Sequence, residues 1–143
     1  MLVESASLTD WPAVAALVAG AGLPLAGLDD QFPEAFAVAR DADRVVGVAG
    51  LQGHGRFGLL RSVAVVPERR GSGIGRTLVL GRLATAKSAG FSGAYLLTTS
   101  AAKWFARLGF ELIDRKSAPA ELLASPEFVD ACPTSATCMV MRF

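Results

Sequence analysis

The residues with the most chemical content lie in one run, Arg69-Arg70-Gly71-Ser72-Gly73-Ile74-Gly75-Arg76. Glycines at alternate positions let successive backbone N–H groups turn toward one centre, and a helix beginning at the end of the run adds the positive end of its dipole. That combination is an anion cradle. No Gly-Lys-Ser/Thr follows, so the run is not a nucleoside-triphosphate P-loop, and its Gly-x-Gly-x-Gly spacing misses the dinucleotide fingerprint Gly-x-Gly-x-x-Gly. On glycines alone, a plain turn remains the alternative.

Charge points the same way. Between Arg44 and Phe110 the chain carries Arg44, Arg56, Arg61, Arg69, Arg70, Arg76, Arg82, Lys87, Lys103 and Arg107, with Glu68 the one acid, although the whole chain has a formal charge of only +1. Such an interval suits either an anionic ligand or a solvated basic face. Arg61 is the sharpest member. It lies in the apolar strand Leu59-Leu60-Arg61-Ser62-Val63 with no acid nearby in sequence, so its guanidinium needs either a substrate carboxylate or a distant Asp or Glu. His54, between two glycines, reads as a turn histidine, Ser100 as a helix cap, and Tyr95, the only tyrosine, as core or partner packing.

The positioning elements follow from pattern. Met1 to Ala6 reads as a strand, and Thr9 or Asp10 caps a helix with Pro12 in its first turn, running to Gly20. Leu28 to Phe32 reads as a short helix. Phe36–Ala39 and Val45–Ala49 are strands joined across Asp41-Ala42-Asp43; Gly53-His54-Gly55 turns into a third, Gly58 to Val66, giving an antiparallel meander. A helix over 76–89 then crosses over to a parallel strand, Ala94 to Thr98. A helix over 101–108, a strand over 110–114, a partly helical excursion over 117–130 and an apolar strand, Thr137 to Phe143, complete an α/β sandwich of mixed strand direction. The 143 residues, 52% of them hydrophobic, fit one domain spanning 1–143. Pro12, Pro24 and Gly20-Ala21-Gly22 interrupt the uncharged stretch from Trp11 to Leu28, so no membrane span is expected. The first residues lack a basic cluster, so no secretory leader is expected, and the cytoplasm is the default. Cys132 and Cys138 form no Cys-x-x-Cys pair and read as buried free thiols, with neither disulfide nor metal site implied.

Val65-Val66-Pro67-Glu68, Arg70-Gly71-Ser72-Gly73-Ile74-Gly75 and Phe105-Ala106-Arg107-Leu108-Gly109-Phe110 together resemble the GNAT superfamily of N-acetyltransferases: a strand end, the R/Q-x-x-G-x-G/A pyrophosphate motif and a Tyr-x-x-x-Gly-Phe-like signature. The resemblance covers nearly the whole chain. It implies the GNAT fold, a mixed, mostly antiparallel α/β sheet in which a splayed parallel strand pair forms an acetyl-CoA cleft. It further implies that the main chain of Val63 and Val65 meets the pantetheine arm, that amides from Arg70 to Arg76 (Arg70, Gly71, Ser72, Gly73, Ile74, Gly75, Arg76) hold the pyrophosphate, and that an N–H near Val63 stabilises the oxyanion.

Two departures bear on chemistry. Phe105 stands where many relatives place a tyrosine acid, and no Asp or Glu lies on the central strand, so water, Ser62 or His54 must relay the amine's proton. Thr98 stands where relatives often have Asn and can lend a hydroxyl. A narrower likeness, in Arg61-Ser62-Val63-Ala64-Val65, Gly22-Leu23-Pro24-Leu25 and Tyr95-Leu96-Leu97-Thr98-Thr99, is to N-acetyltransferases of arsenic-resistance operons. The resulting expectation is an acetyl-CoA-dependent enzyme acting on the α-amine of a small amino-acid-like acceptor, an arsenical or phosphinic antibiotic among the candidates. Arg61, Leu25, Tyr95 and Thr98 then contact that acceptor, and Val63, Ser62 and Thr98 serve the chemistry. The alternatives are a protein or peptide N-acetyltransferase and a non-catalytic CoA-binding module. No nucleic-acid partner is expected. A homodimer is, because the mean hydropathy of +0.42 is high and the last strand has no polar face.

Overall fold

The computed structural model describes residues 1–131 and 133–143; Cys132 lies outside the described residues. Seven strands form one sheet in the order β1-β2-β3-β4-β5-β7-β6: β1 Leu2–Ser5, β2 Phe36–Asp41, β3 Arg44–His54, β4 Phe57–Val65, β5 Gly93–Thr98, β6 Glu111–Ile113 and β7 Thr137–Arg142. The first four make the antiparallel meander, and β7 lies inside the sheet between β5 and β6, which accounts for its two apolar faces. Helices α2 (Ile74–Ser88) and α3 (Ala102–Arg107) cover one face, where Val79, Leu83, Phe105 and Phe110 pack on Leu60, Ala94 and Leu96. On the other face lie α1 (Trp11–Gly20) over Phe36, Val38 and Val48, and the excursion containing α4 (Ala120–Leu123), whose Leu122 meets Leu59, Tyr95 and Val140. Among the described residues no helix is long and apolar enough to cross a membrane.

Two departures from regular pairing shape everything that follows. The parallel pair β4/β5 is joined over three rungs only, Phe57↔Gly93, Gly58↔Ala94 and Leu59↔Tyr95. Beyond Leu59 the strands part. On the other side of β4, Gly50 pairs with Arg61 and Val48 with Ala64, so Ala49 stands opposite both Ser62 and Val63 in a bulge. Ser62 there takes φ +58°, a left-handed conformation that costs a non-glycine residue energy and re-aims its neighbours.

Some expectations shift. The helix expected over 28–32 is a series of turns instead, because Gly27 and Gln31 hold positive φ and Asp29 and Asp30 favour turns; the Gln31 side chain caps the segment by bonding both the N–H and the carbonyl of Gly53 at 2.8 Å. Strand β3 runs on through His54, and the turn falls at Gly55. Asp10 precedes α1 but makes no cap bond to it: its carboxylate accepts from the Ser7 N–H and from Arg40 Nη1 and Nη2, the latter two at 2.7 and 2.9 Å.

Candidate active site

The parting of β4 and β5 opens a cleft of about 990 Å³, at the upper end of the roughly 300–1,000 Å³ typical of small-molecule sites. One wall is β4 from Leu60 to Val65, the other is Leu96 to Ala101 with Trp104 and Phe105, and the turn over 21–24 after α1 closes one side. At its mouth stands the start of α2. Gly73 is the N-cap at φ +88° and offers no side-chain bond, and a Cβ on either Gly71 (φ +82°) or Gly73 would meet nothing within 4 Å. The N–H groups at the first turn of α2 have no intrahelical acceptors, and the glycines leading into them are uncrowded, the condition for binding an anion there. Arg69, Arg70 and Arg76 line the same mouth. Arg69 is paired with Asp41, and Arg70 Nε donates to the Val65 carbonyl at 3.2 Å. Ser72 turns its hydroxyl back onto the Arg69 carbonyl.

Farther along β4 is a buried ion pair. The Arg61 and Glu127 side chains are 1% and 4% exposed, with Nε to Oε1 at 3.4 Å. Arg61 Nε also donates to Ser62 Oγ at 3.0 Å and Nη2 to the Pro24 carbonyl at 3.1 Å. Gly27 (φ +75°) packs against the same guanidinium, where a Cβ would stand 3.1 Å from Nη1. Of the two readings of Arg61, a distant acid is thus present, and the residue is still part of the cleft lining. Burial pushes the Glu127 carboxyl up and Arg61 pulls it down, with burial the larger. Sequence reasoning missed Glu127. The signal was an acid between Pro126 and Phe128 in an otherwise apolar stretch, but nothing local names its partner.

Several expected site residues fall elsewhere. Tyr95 is not on the cleft: it forms the last β4/β5 rung, below the fork, and its ring packs edge-on to Phe57 on the opposite face, 5.6 Å between centroids. Leu25 is half exposed and outside the cleft wall, which ends at Pro24. His54 sits at the far end of β3, half-buried, with burial pushing its imidazole down, and it does not line the cleft. Thr98 does line it, and its hydroxyl accepts from the Ala101 N–H at 3.0 Å; Ala101, not Ser100, is the N-cap of α3, and no side chain caps that helix. Val63, Val65, Ser62 and Phe105 all face the cleft. Cys138 is buried in the sheet, and that burial raises its thiol to about 11, the behaviour of an inert core cysteine.

The model of the acetyltransferase (GNAT) domain matches residues 33–112, more than half of the chain. The chain belongs to the GNAT acetyltransferase family. A comparison with curated proteins finds no match. Among solved structures, Rv2747 from Mycobacterium tuberculosis, in complex with CoA and a second ligand, aligns with a TM-score of 0.83 at 27% identity, covering 100% of this chain and 99% of that one. N-acetylglutamate synthase from Neisseria gonorrhoeae, complexed with coenzyme A and N-acetyl-glutamate, aligns at 0.85 with 21% identity over 99% of this chain; the chain spans 34% of that protein's length. PaiA N-acetyltransferase from Thermoplasma acidophilum, in complex with coenzyme A, gives 0.71 at 14% identity, over 99% of this chain and 98% of that one. These likenesses place the mixed sheet, with its one parallel pair, in the GNAT fold.

Proposed function

We propose that this GNAT protein transfers the acetyl group of acetyl-CoA to the α-amine of a small, carboxylate-bearing amino compound, with arsenical or phosphinic amino-acid antibiotics among the acceptors. The residues at the cleft fit the cosubstrate, because the first turn of α2 has uncapped N–H groups behind uncrowded glycines, with Arg70 and Arg76 on the same lining. When bound there, the thioester supplies an activated acyl carbon. The amides from Arg70 to Arg76 hold the diphosphate, and the main chain of Val63 and Val65 along β4 orients the arm. The bulge at Ser62 and Val63 breaks the β3/β4 register where the acyl group would lie, and the Val63 N–H is the donor that the reading assigns to the carbonyl oxygen. The amine's proton leaves through water or the Ser62 hydroxyl.

The observation that carries the acceptor class is Arg61: a residue of the cleft lining whose buried guanidinium bonds the Pro24 carbonyl of the turn over 21–24, deeper along β4 than the diphosphate cradle. A planar cation in that place suits a carboxylate. The experiment is a panel of amino compounds with acetyl-CoA, read as release of free thiol, on wild type and Arg61→Gln. Turnover of free amino acids or their phosphinic and arsenical analogues, with an acceptor KM raised by at least tenfold in the variant, supports the reading; turnover of peptides alone sinks it. Phe105 and the lack of an acid on β4 support a second reading, a CoA-binding module without turnover, which binding with no thiol release from any amine would select.

A further inference from the structure

Arg61 already has a carboxylate. That creates a charge problem for the acceptor proposed above, on which this inference rests. A second carboxylate brought to the same guanidinium, in a pocket where Arg61 is 1% and Glu127 4% exposed, would leave one uncompensated negative charge out of water. Two carboxylates sharing one site cannot both stay ionised cheaply, and the one with the less favourable surroundings takes a proton. Glu127 is that group. It reaches Arg61 only at 3.4 Å, while Arg61 keeps its shorter bonds to Ser62 and Pro24.

We infer that Glu127 couples acceptor binding to proton uptake: an incoming carboxylate takes over the Arg61 charge, and Glu127 accepts one proton from solvent as the acceptor seats. The step makes an O–H bond on Glu127 and consumes one solvent proton, with no other bond changed. Its surroundings favour this. Burial already holds the carboxyl above the usual range, against the pull of Arg61. The other charged groups on the elements packed nearby are engaged elsewhere among the described residues. Arg115 donates to the carbonyls of Phe128 (2.7 Å) and Pro133 (2.6 Å), Glu121 of α4 lies against Gly55, and Asp30 faces His54. Among the described residues, Arg61 is the charge found beside the Glu127 carboxyl. Glu127 is then a positioning residue that sets selectivity: acceptors with a carboxylate bind in a proton-linked manner, and neutral amines leave the pair intact and take up none.

The test is calorimetric and needs no turnover. CoA-loaded protein is titrated with N-acetylglutamate, N-acetylglycine and N-acetylphenylalanine, carboxylates without a titrating amine, from pH 6 to 9 in two buffers of different ionisation enthalpy. In wild type, about one proton enters per ligand bound at pH values lying between the titration of Glu127 in the free and in the ligand-bound protein, and affinity falls there by up to about tenfold per pH unit. Glu127→Gln binds with no uptake and a flat pH dependence, and Glu127→Asp restores the slope. Wild type that binds these ligands through Arg61, as shown by weakening in Arg61→Gln, but takes up no proton overturns the inference while leaving the acceptor class standing. If none of the three binds, and the turnover panel shows Arg61→Gln treating carboxylated and decarboxylated amines alike, the acceptor class itself has failed and the inference falls with it. The wild-type proton count decides even if the Gln variant does not fold.

Discussion

Phe105 occupies the position at which the family signature has tyrosine, and its ring lies at the cleft wall, edge-on to Trp104 and Phe110 at 4.9 and 5.7 Å between centroids. No proton can come from it. Coenzyme A leaves as a thiolate, and a thiol of pKa about 8.5 departs without help. At saturating acceptor, kcat should therefore climb as the bound amine loses its proton and then stay level up to about pH 10, without the falling limb that a titrating acid imposes. Phe105→Tyr should add that limb near the tyrosine range and raise kcat, by up to roughly 10²-fold. A falling limb in the wild-type kcat profile would mean that another residue donates the proton. Tyr95 cannot be that residue, since it is packed below the fork on the far face.

At the scale of elements, α2 carries the most function per residue. Its N-cap, Gly73, stands at φ +88° with space around it, so Gly73→Ala meets no clash and suffers only the left-handed penalty, about 1–2 kcal/mol. The expected outcome is a Tm lower by a few degrees together with a CoA Kd at least tenfold higher, because the methyl group would stand where the amides open. Gly81→Ala, within the same helix and equally uncrowded, should stabilise by about 0.5–1 kcal/mol and leave CoA binding unchanged. Equal effects of the two on CoA would remove the cradle from the argument. This element was readable beforehand, since alternating glycines between a strand and an amphipathic helix have few other uses. The meander and the parallel crossover were readable too, from β-branched runs and turn residues. What could not be read was long-range: the Arg61–Glu127 pairing, the bulge that turns Ser62, and the rung that puts Tyr95 below the fork each depend on registers between strands distant in sequence. Residues 28–32, which read as a short helix from the apolar spacing of Leu28 and Phe32, belong to the turns over 26–35 because the aspartates and Gly27 favour turns.

For the molecule as a whole, the first helix is tied to the sheet by charge. Asp10, 7% exposed at its side chain, is bound by Arg40 of β2, which also holds Glu4 of β1 at 2.7 Å. The hydrogen bonds from Arg40, with smaller help from Ser7, hold the Asp10 carboxyl down at about 2. A carboxylate depressed in the folded state stabilises fully above its unfolded value, near 3.8, and loses that contribution as pH falls toward 2; the shift amounts to about 2 kcal/mol. Urea melts should show this loss between pH 4 and 2, and Asp10→Asn should be about 2 kcal/mol less stable at pH 7 with a flatter acid limb. An unchanged limb would show that the tie contributes nothing net.

The three rungs between β4 and β5 have one last consequence. They are the seam between a four-strand half and a three-strand half, with α2 as the strap across it. A cosubstrate lying in the gap would touch both halves, and so act as mortar: part of whatever energy it gains on binding goes into a joint held by only three rungs, and the loaded protein is expected to be the stiffer one.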